Sequence, residues 1–222
     1  MIRRFISSFV ALVAIATSMT FAAEKLSPMP QGAEAAFVAG IQKDLTARFA
    51  TPSDAEKAGF FRYTNEDPTG AISYANLAWN SSDPAHPCQL WYSASGKLLG
   101  ADFCELKSTS PKRPALWGVT PARWDDFDPH VHYVYTDASG AMVYGKATSV
   151  KKYTGAGGDI TAPTAAPLVK LGLVKDASQV KHVFLSPDMW DLIVWVLPNP
   201  NGAFADKNPN VTPSKSAEKS TM

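Results

Sequence analysis

Two cysteines, Cys88 and Cys104, set the tightest limit on how this chain can fold. Between them lie two apolar runs, Gln89-Leu90-Trp91-Tyr92 and Leu98-Leu99-Gly100-Ala101-Asp102-Phe103, separated by Ser93-Ala94-Ser95-Gly96-Lys97. Strand-like runs joined by a short Gly-containing turn read as a β-hairpin. With Gly96 at its centre, such a hairpin brings the cysteines together at its open end. A Cys88–Cys104 disulfide there closes a loop of 17 residues, for roughly 3 kcal/mol in the chain-entropy picture. No C-x-x-C spacing is present, so the pair reads as a structural staple rather than a redox couple.

Paired cysteines suit an oxidising compartment, and the N-terminus agrees. Arg3 and Arg4 precede an uncharged, mostly apolar run from Phe5 to Phe21, and Thr20-Phe21-Ala22 offers small residues for cleavage. Residues 1–22 therefore read as a secretory signal peptide, with no stop-transfer pattern before Glu24 and Lys25. The expected product is periplasmic or secreted, with no membrane partner after cleavage. Removing Arg3 and Arg4 leaves 19 of the 21 basic residues against 20 acidic ones. A mature chain so near neutrality gives no electrostatic case for a nucleic-acid partner.

Residues 23–33, with Pro28, Pro30 and Gly32, read as a linker. A helix follows from Glu34, because Phe37, Ile41, Leu45 and Phe49 recur every four residues on one face. Thr51-Pro52-Ser53-Asp54 starts a second, short helix that Gly59 can end. From residue 60 to 153 the chain is dense in Tyr, Trp, Phe and Val between turn residues, the pattern of successive hairpins. One hairpin turns at Asn65–Gly70 and another at Asp137-Ala138-Ser139-Gly140. Thr120–Trp124 reads as a single helical turn, 153–167 as loop, and Leu168–Leu171 as a short helix. Val180–Leu185 and Trp190–Val196 read as strands joined by Ser186-Pro187-Asp188, a helix from Ser186 being the competitor for the second. The expected fold class is mainly antiparallel β (α+β): a hairpin-rich sheet with an N-terminal helical segment and one disulfide. A single globular domain is expected over 34–206, followed by a disordered tail over 207–222, which is polar and lacks periodicity.

Three stretches carry a resemblance. They are Asp83-Pro84-Ala85-His86-Pro87 with Leu90-Trp91-Tyr92, Gly96 and Gly100–Phe103; Leu116-Trp117-Gly118; and Trp190–Trp195 before Asn199-Pro200-Asn201-Gly202-Ala203-Phe204-Ala205 and Asn208-Pro209-Asn210-Val211. Together they resemble an uncharacterised family of secreted bacterial proteins, over roughly residues 60 to 211. The most specific part is Asn-Pro-x-Gly-x-Phe-Ala before Asn-Pro-x-Val. No activity is established for that family, so the resemblance implies no catalytic residue. Its members tend to carry His where this chain has Ile193.

The chain has four histidines, His86, His130, His132 and His182. Asp128-Pro129-His130-Val131-His132 is the segment with the most chemistry in it. On a strand, alternate residues share a face, so His130 and His132 point the same way about 7 Å apart along the strand, with Asp128 if the strand begins that early. Two imidazoles so placed can chelate one metal, zinc or copper by ligand type. His86, His182 or an acid such as Asp125, Asp126 or Glu105 would complete the shell. The rival is a non-catalytic binding or interaction module built on an aromatic-rich β domain, its six tryptophans mostly buried. The small-molecule or protein partner stays undefined, and so does the question of whether the chain is an enzyme. There is no Gly-x-Ser-x-Gly, no His-Glu-x-x-His, and Gly155-Ala156-Gly157-Gly158 lacks the lysine of a phosphate loop. Ser149-Val150-Lys151-Lys152 matches Ser-x-x-Lys without its companion motifs.

Overall fold

The structure, a computed structural model, describes residues 29–79 and 83–217. The expected signal peptide, residues 1–22, lies outside the described residues, as does most of the expected linker. The elements in chain order are α1 (Gly32–Arg48), α2 (Pro52–Lys57), β1 (Phe61–Arg62), β2 (Ile72–Ala75), β3 (Gln89–Tyr92), β4 (Leu98–Leu106), β5 (Asp125–Phe127), β6 (His130–Thr136), β7 (Met142–Ser149), α3 (Val150–Gly155), α4 (Ala166–Lys170), β8 (Val180–Ser186) and β9 (Met189–Trp195). Two antiparallel sheets result, a six-stranded one in the order β1-β2-β3-β4-β9-β5 and a three-stranded one in the order β7-β6-β8. The fold is therefore mainly antiparallel β with an N-terminal helical segment and one disulfide, Cys88–Cys104. Among the described residues no helix is long and apolar enough to cross a membrane.

Local chemistry sets most elements. Thr51 caps α2, accepting from the Asp54 amide while the Asp54 carboxylate accepts from the Thr51 amide. The turns at Asp67–Gly70 and Asp137–Gly140 share one device. The aspartate Oδ1 accepts from the amides two and four residues on, and the glycine takes positive φ, 84° and 85°. Tyr153, expected in a loop, is instead buried on α3, where Ser149 caps the helix and the tyrosine hydroxyl donates to the Thr164 carbonyl.

The large sheet buries one face against α1. Ile41, Leu45 and Phe49 of the expected stripe, with Val38 in place of the half-buried Phe37, meet Ile72, Leu90, Tyr92, Ala101, Phe103, Leu192 and Val194. The helix starts at Gly32, two residues before the expected Glu34, and Glu34 in its first turn is buried. Its carboxylate accepts from the Thr120 amide at 3.1 Å and pairs with Arg123 at 3.1 Å.

The strands nearest the C-terminus build a longer-range feature. Asp128-Pro129 leads from β5 in the large sheet to β6 in the small one, and Pro187-Asp188 leads from β8 back to β9. On either side of these dipeptides the strands stay paired: Phe127 opposite Met189, and His130 opposite Ser186. Asp125–Thr136 and Val180–Trp195 thus form one antiparallel ribbon that turns a corner between sheets, with proline on each strand where ladder bonds stop. The strands flanking Pro187 are both present, but they belong to different sheets. The Gly145 amide donates to the Tyr63 carbonyl at 2.9 Å and ties the small sheet to the segment after β1.

The chain from Lys207 to Ala217, expected as the start of a disordered tail, lies against the body. Asn208 is 3% exposed, and its amide donates to the carbonyls of Leu197 and Pro198. The Ser214 amide donates to Glu66 at 2.7 Å. Polar, aperiodic sequence here marks a segment held by side-chain amides rather than by a hydrophobic stripe.

Candidate functional site

Register decides what faces what. In the small sheet His130, His132 and Val134 share a face with Ser186, Phe184 and His182. In the large sheet Tyr63, Ala75, Gln89, Asp102, Cys104, Met189 and Asp191 share the face away from α1. The two faces meet, with Tyr63 and Ala75 packing on Val134 and Phe184. Between them opens a cavity of about 420 Å³, bordered by Tyr63, Gln89, His132, Phe184, Met189 and the disulfide.

His130 and His132 converge. Their Nε2 atoms stand 2.8 Å apart. His130 Nδ1 lies 2.9 Å from the Asp128 carbonyl oxygen. A carbonyl can only accept, so this nitrogen carries the proton and His130 Nε2 presents a lone pair. His132 Nε2 then donates to it, which strips the proton from His132 Nδ1. That Nδ1 is buried, with no partner in hydrogen-bonding geometry, and the Lys146 main chain beside the ring favours its charged form. The His132 ring lies between Tyr63, with centroids 4.8 Å apart, and Phe184, at 5.2 Å. Burial, reinforced by His130, pulls its pKa down to about 3, so it is a neutral imidazole.

The other expected ligands lie elsewhere. His86 Nδ1 is 3.0 Å from an Asp83 carboxylate oxygen. His182 stacks on Phe61 at 4.1 Å. Asp128 offers its carbonyl to the pair, while its side chain is exposed. Asp126 is paired with Lys107. Among the described residues no third His, Cys, Asp or Glu joins the two imidazoles within 4.8 Å.

The opposite wall of the inter-sheet space holds polar groups that sequence reasoning missed. Asp102 and Asp191 are buried on adjacent strands, each with an Oδ1 that has no hydrogen-bond partner. Trp91 Nε1 donates to the other Asp102 oxygen at 2.9 Å. Burial and the nearby Asp191 hold the Asp102 carboxyl well above the usual range, and burial with the charge of Asp125 pushes Asp191 up to about 7. The Tyr63 hydroxyl donates to Gln89, and burial raises this phenol too. The overlooked signal was an acid inside each of two apolar strands, at the positions whose neighbours two away, Cys104 and Met189, are buried.

No family model, curated protein or solved structure matches the chain.

Of the six tryptophans, Trp91, Trp124 and Trp195 are buried. Trp117 and Trp190 are half-buried and occupied, Trp117 stacked on Phe37 at 5.2 Å and Trp190 donating to the Ser110 carbonyl. They serve packing rather than a stacking platform.

Proposed function

We propose that the protein is an exported metal-binding protein that holds zinc or copper between the Nε2 atoms of His130 and His132. One observation carries the reading: two imidazole nitrogens face each other at 2.8 Å while the same contact leaves a buried His132 Nδ1 orphaned. Buried polar atoms are rarely left unpaired, and an orphan calls for an explanation. A metal supplies it. Each Nε2 would give its lone pair to the ion, and the His132 proton would move to Nδ1, facing the Lys146 main chain. The His130 contact with the Asp128 carbonyl is the outer-shell bond that fixes a ligating tautomer.

Zinc–nitrogen bonds of about 2.0–2.1 Å at tetrahedral angles put two ligand atoms about 3.3 Å apart, so the rings need to part by about 0.5 Å and turn until both lone pairs aim at the ion. With two protein ligands, the remaining positions fall to water or an exogenous molecule. Binding should be weaker than at a closed four-ligand site.

Elemental analysis of the chain purified without a histidine tag tests this. About one equivalent of copper or zinc is expected, lost in the His130→Ala/His132→Ala variant and kept in His86→Ala. No uptake on titration, or equal uptake by the double variant, overturns it. The cavity favours a second reading, a module that binds a small, mostly apolar molecule between the sheets, since such pockets combine apolar walls with a few polar groups. A molecule co-purifying with both the native chain and the double histidine variant would support that reading over the metal.

A further inference from the structure

We propose that reduction of the Cys88–Cys104 disulfide opens a separate zinc site, formed by the two thiolates and the Asp191 carboxylate. It uses neither imidazole and stands apart from the reading above. The two Sγ atoms and a carboxylate oxygen of Asp191 lie within 4.8 Å of one another, the one group of three His, Cys, Asp or Glu ligands so close among the described residues. Cys104 and Asp191 sit on the interior strands β4 and β9, and Cys88 immediately precedes the interior strand β3. Cys104 and Asp191 are directly opposite in the β4–β9 register, and the Cys88 amide donates to the Asp102 carbonyl at the head of β3.

A second observation points to a cation independently. Asp191 Oδ1 is buried with no hydrogen-bond partner, in a residue only 8% exposed. Desolvating a carboxylate oxygen without a donor is costly. Asp191 Oδ1 is unpartnered while the disulfide is intact, so its lone pair is free for the ion that the two thiolates would hold after reduction. The ligand set is one that zinc accepts, thiolate sulfur with carboxylate oxygen. On tetrahedral zinc two sulfurs stand about 3.8 Å apart. Side-chain rotation at cysteines whose Cα atoms are 5.9 Å apart reaches that spacing. The cavity borders both cysteines and Met189, which gives reductant and ion a way in.

The chemistry balances. A dithiol reductant gives two electrons and two protons to the disulfide, breaks the S–S bond and itself becomes a disulfide. The two cysteine thiols formed release their protons as zinc binds, and Asp191 releases any proton it holds. While the disulfide is intact, neither sulfur is a thiolate and the site does not exist. Oxidation state would thus decide between a covalent staple and a metal staple at one place in the sheet.

The test uses the full chain carrying His130→Ala/His132→Ala, so that zinc at the imidazoles does not count. Zinc uptake is measured by competition with a chromophoric chelator, before and after a water-soluble phosphine reduces the disulfide and is removed. The oxidised protein should take up none and the reduced protein one equivalent. Cobalt in place of zinc should give sulfur-to-metal charge-transfer absorption in the near ultraviolet. Asp191→Asn, which keeps size and shape, should weaken zinc at least tenfold, and Cys88→Ser/Cys104→Ser should abolish the absorption. A reduced protein that keeps its far-ultraviolet circular dichroism and takes up no zinc overturns the proposal. So does one that unfolds on reduction and is not refolded by zinc, or uptake that Asp191→Asn leaves unchanged.

Discussion

The two faces of the large sheet are made by the same strands and follow opposite rules. Toward α1, Leu90, Ala101, Phe103, Leu192 and Val194 are at most 1% exposed and belong to one hydrophobic cluster. One residue along each strand, the other face carries Gln89, Asp102, Cys104 and Asp191. It buries two carboxylates and leaves an oxygen of each unpaired. A period-two strand lets one sheet carry an apolar face on one side and buried polar groups on the other. The helical face can be read as core. The inter-sheet face holds polar groups whose cost the core must offset.

The sharpest way to break this contrast is to truncate each face in turn. Phe103→Ala removes a fully buried ring that packs edge-on against Phe37 at 5.9 Å. A loss of about 3–5 kcal/mol is expected in urea unfolding, from transfer and cavity together. Asp102→Asn, one residue away on the other face, should cost far less or stabilise at neutral pH, because it replaces a desolvated acid by a neutral group of the same shape. Equal losses would mean that the two faces are not different in kind.

Gly100 joins them, and its substitution should give the next largest effect. A Cβ there would lie 2.7 Å from the Val194 carbonyl oxygen and 2.8 Å from the Trp91 ring. Gly100→Ala must push aside the ring whose Nε1 holds Asp102. A cost of about 1–3 kcal/mol is expected in the same urea unfolding.

Acidity separates the faces further. Asp191, raised to about 7, keeps its proton in the folded state at pH values where the unfolded chain has lost it. Its contribution is therefore full below about pH 4 and is lost as pH rises toward 7, by at most about 1.4 kcal/mol per unit. His132, lowered to about 3, acts the other way: its contribution is full above about 6.5 and is lost as pH falls. Asp102, raised likewise, adds to the loss with rising pH, so between pH 4 and 6.5 the two acids outweigh His132 and the native stability should fall as pH rises. Asp191→Asn should flatten that fall, leaving Asp102 against His132, as denaturation at pH 4.5, 5.5 and 6.5 would read. A profile unchanged by Asp191→Asn would remove the acid from the account.

What the sequence made legible follows the reach of each signal. The α1 stripe, the Gly96 and Gly140 turns and the cysteine hairpin depend on residues close in the chain, and each is present where expected. The shared face of His130 and His132 follows from strand period alone. The corner ribbon does not, because pairing Phe127 with Met189 spans 62 residues and no local pattern fixes that register. Pro129 and Pro187, each between two strand-like runs, were the trace of it. That no third His, Cys, Asp or Glu stands beside the pair among the described residues has the same origin. Which strands flank a histidine is a matter of sheet order, and sheet order placed Phe184 rather than an acid or histidine beside His132.

His182 gives the smallest expected effect and the finest test of that point. It lies on the same face as His132, opposite Val134, and its ring stacks on Phe61 with planes 9° apart. If sharing a face were enough to make a ligand, His182→Ala would weaken metal uptake as His132→Ala does. Geometry assigns it to packing, so uptake should be unchanged in the elemental assay. Stability should fall by only about 0.5–1.5 kcal/mol, the range for a lost aromatic pair. His182→Phe should restore that stability while leaving metal content alone. Metal lost in His182→Ala and not regained in His182→Phe would move this histidine into the site and show that the rings regroup around the ion.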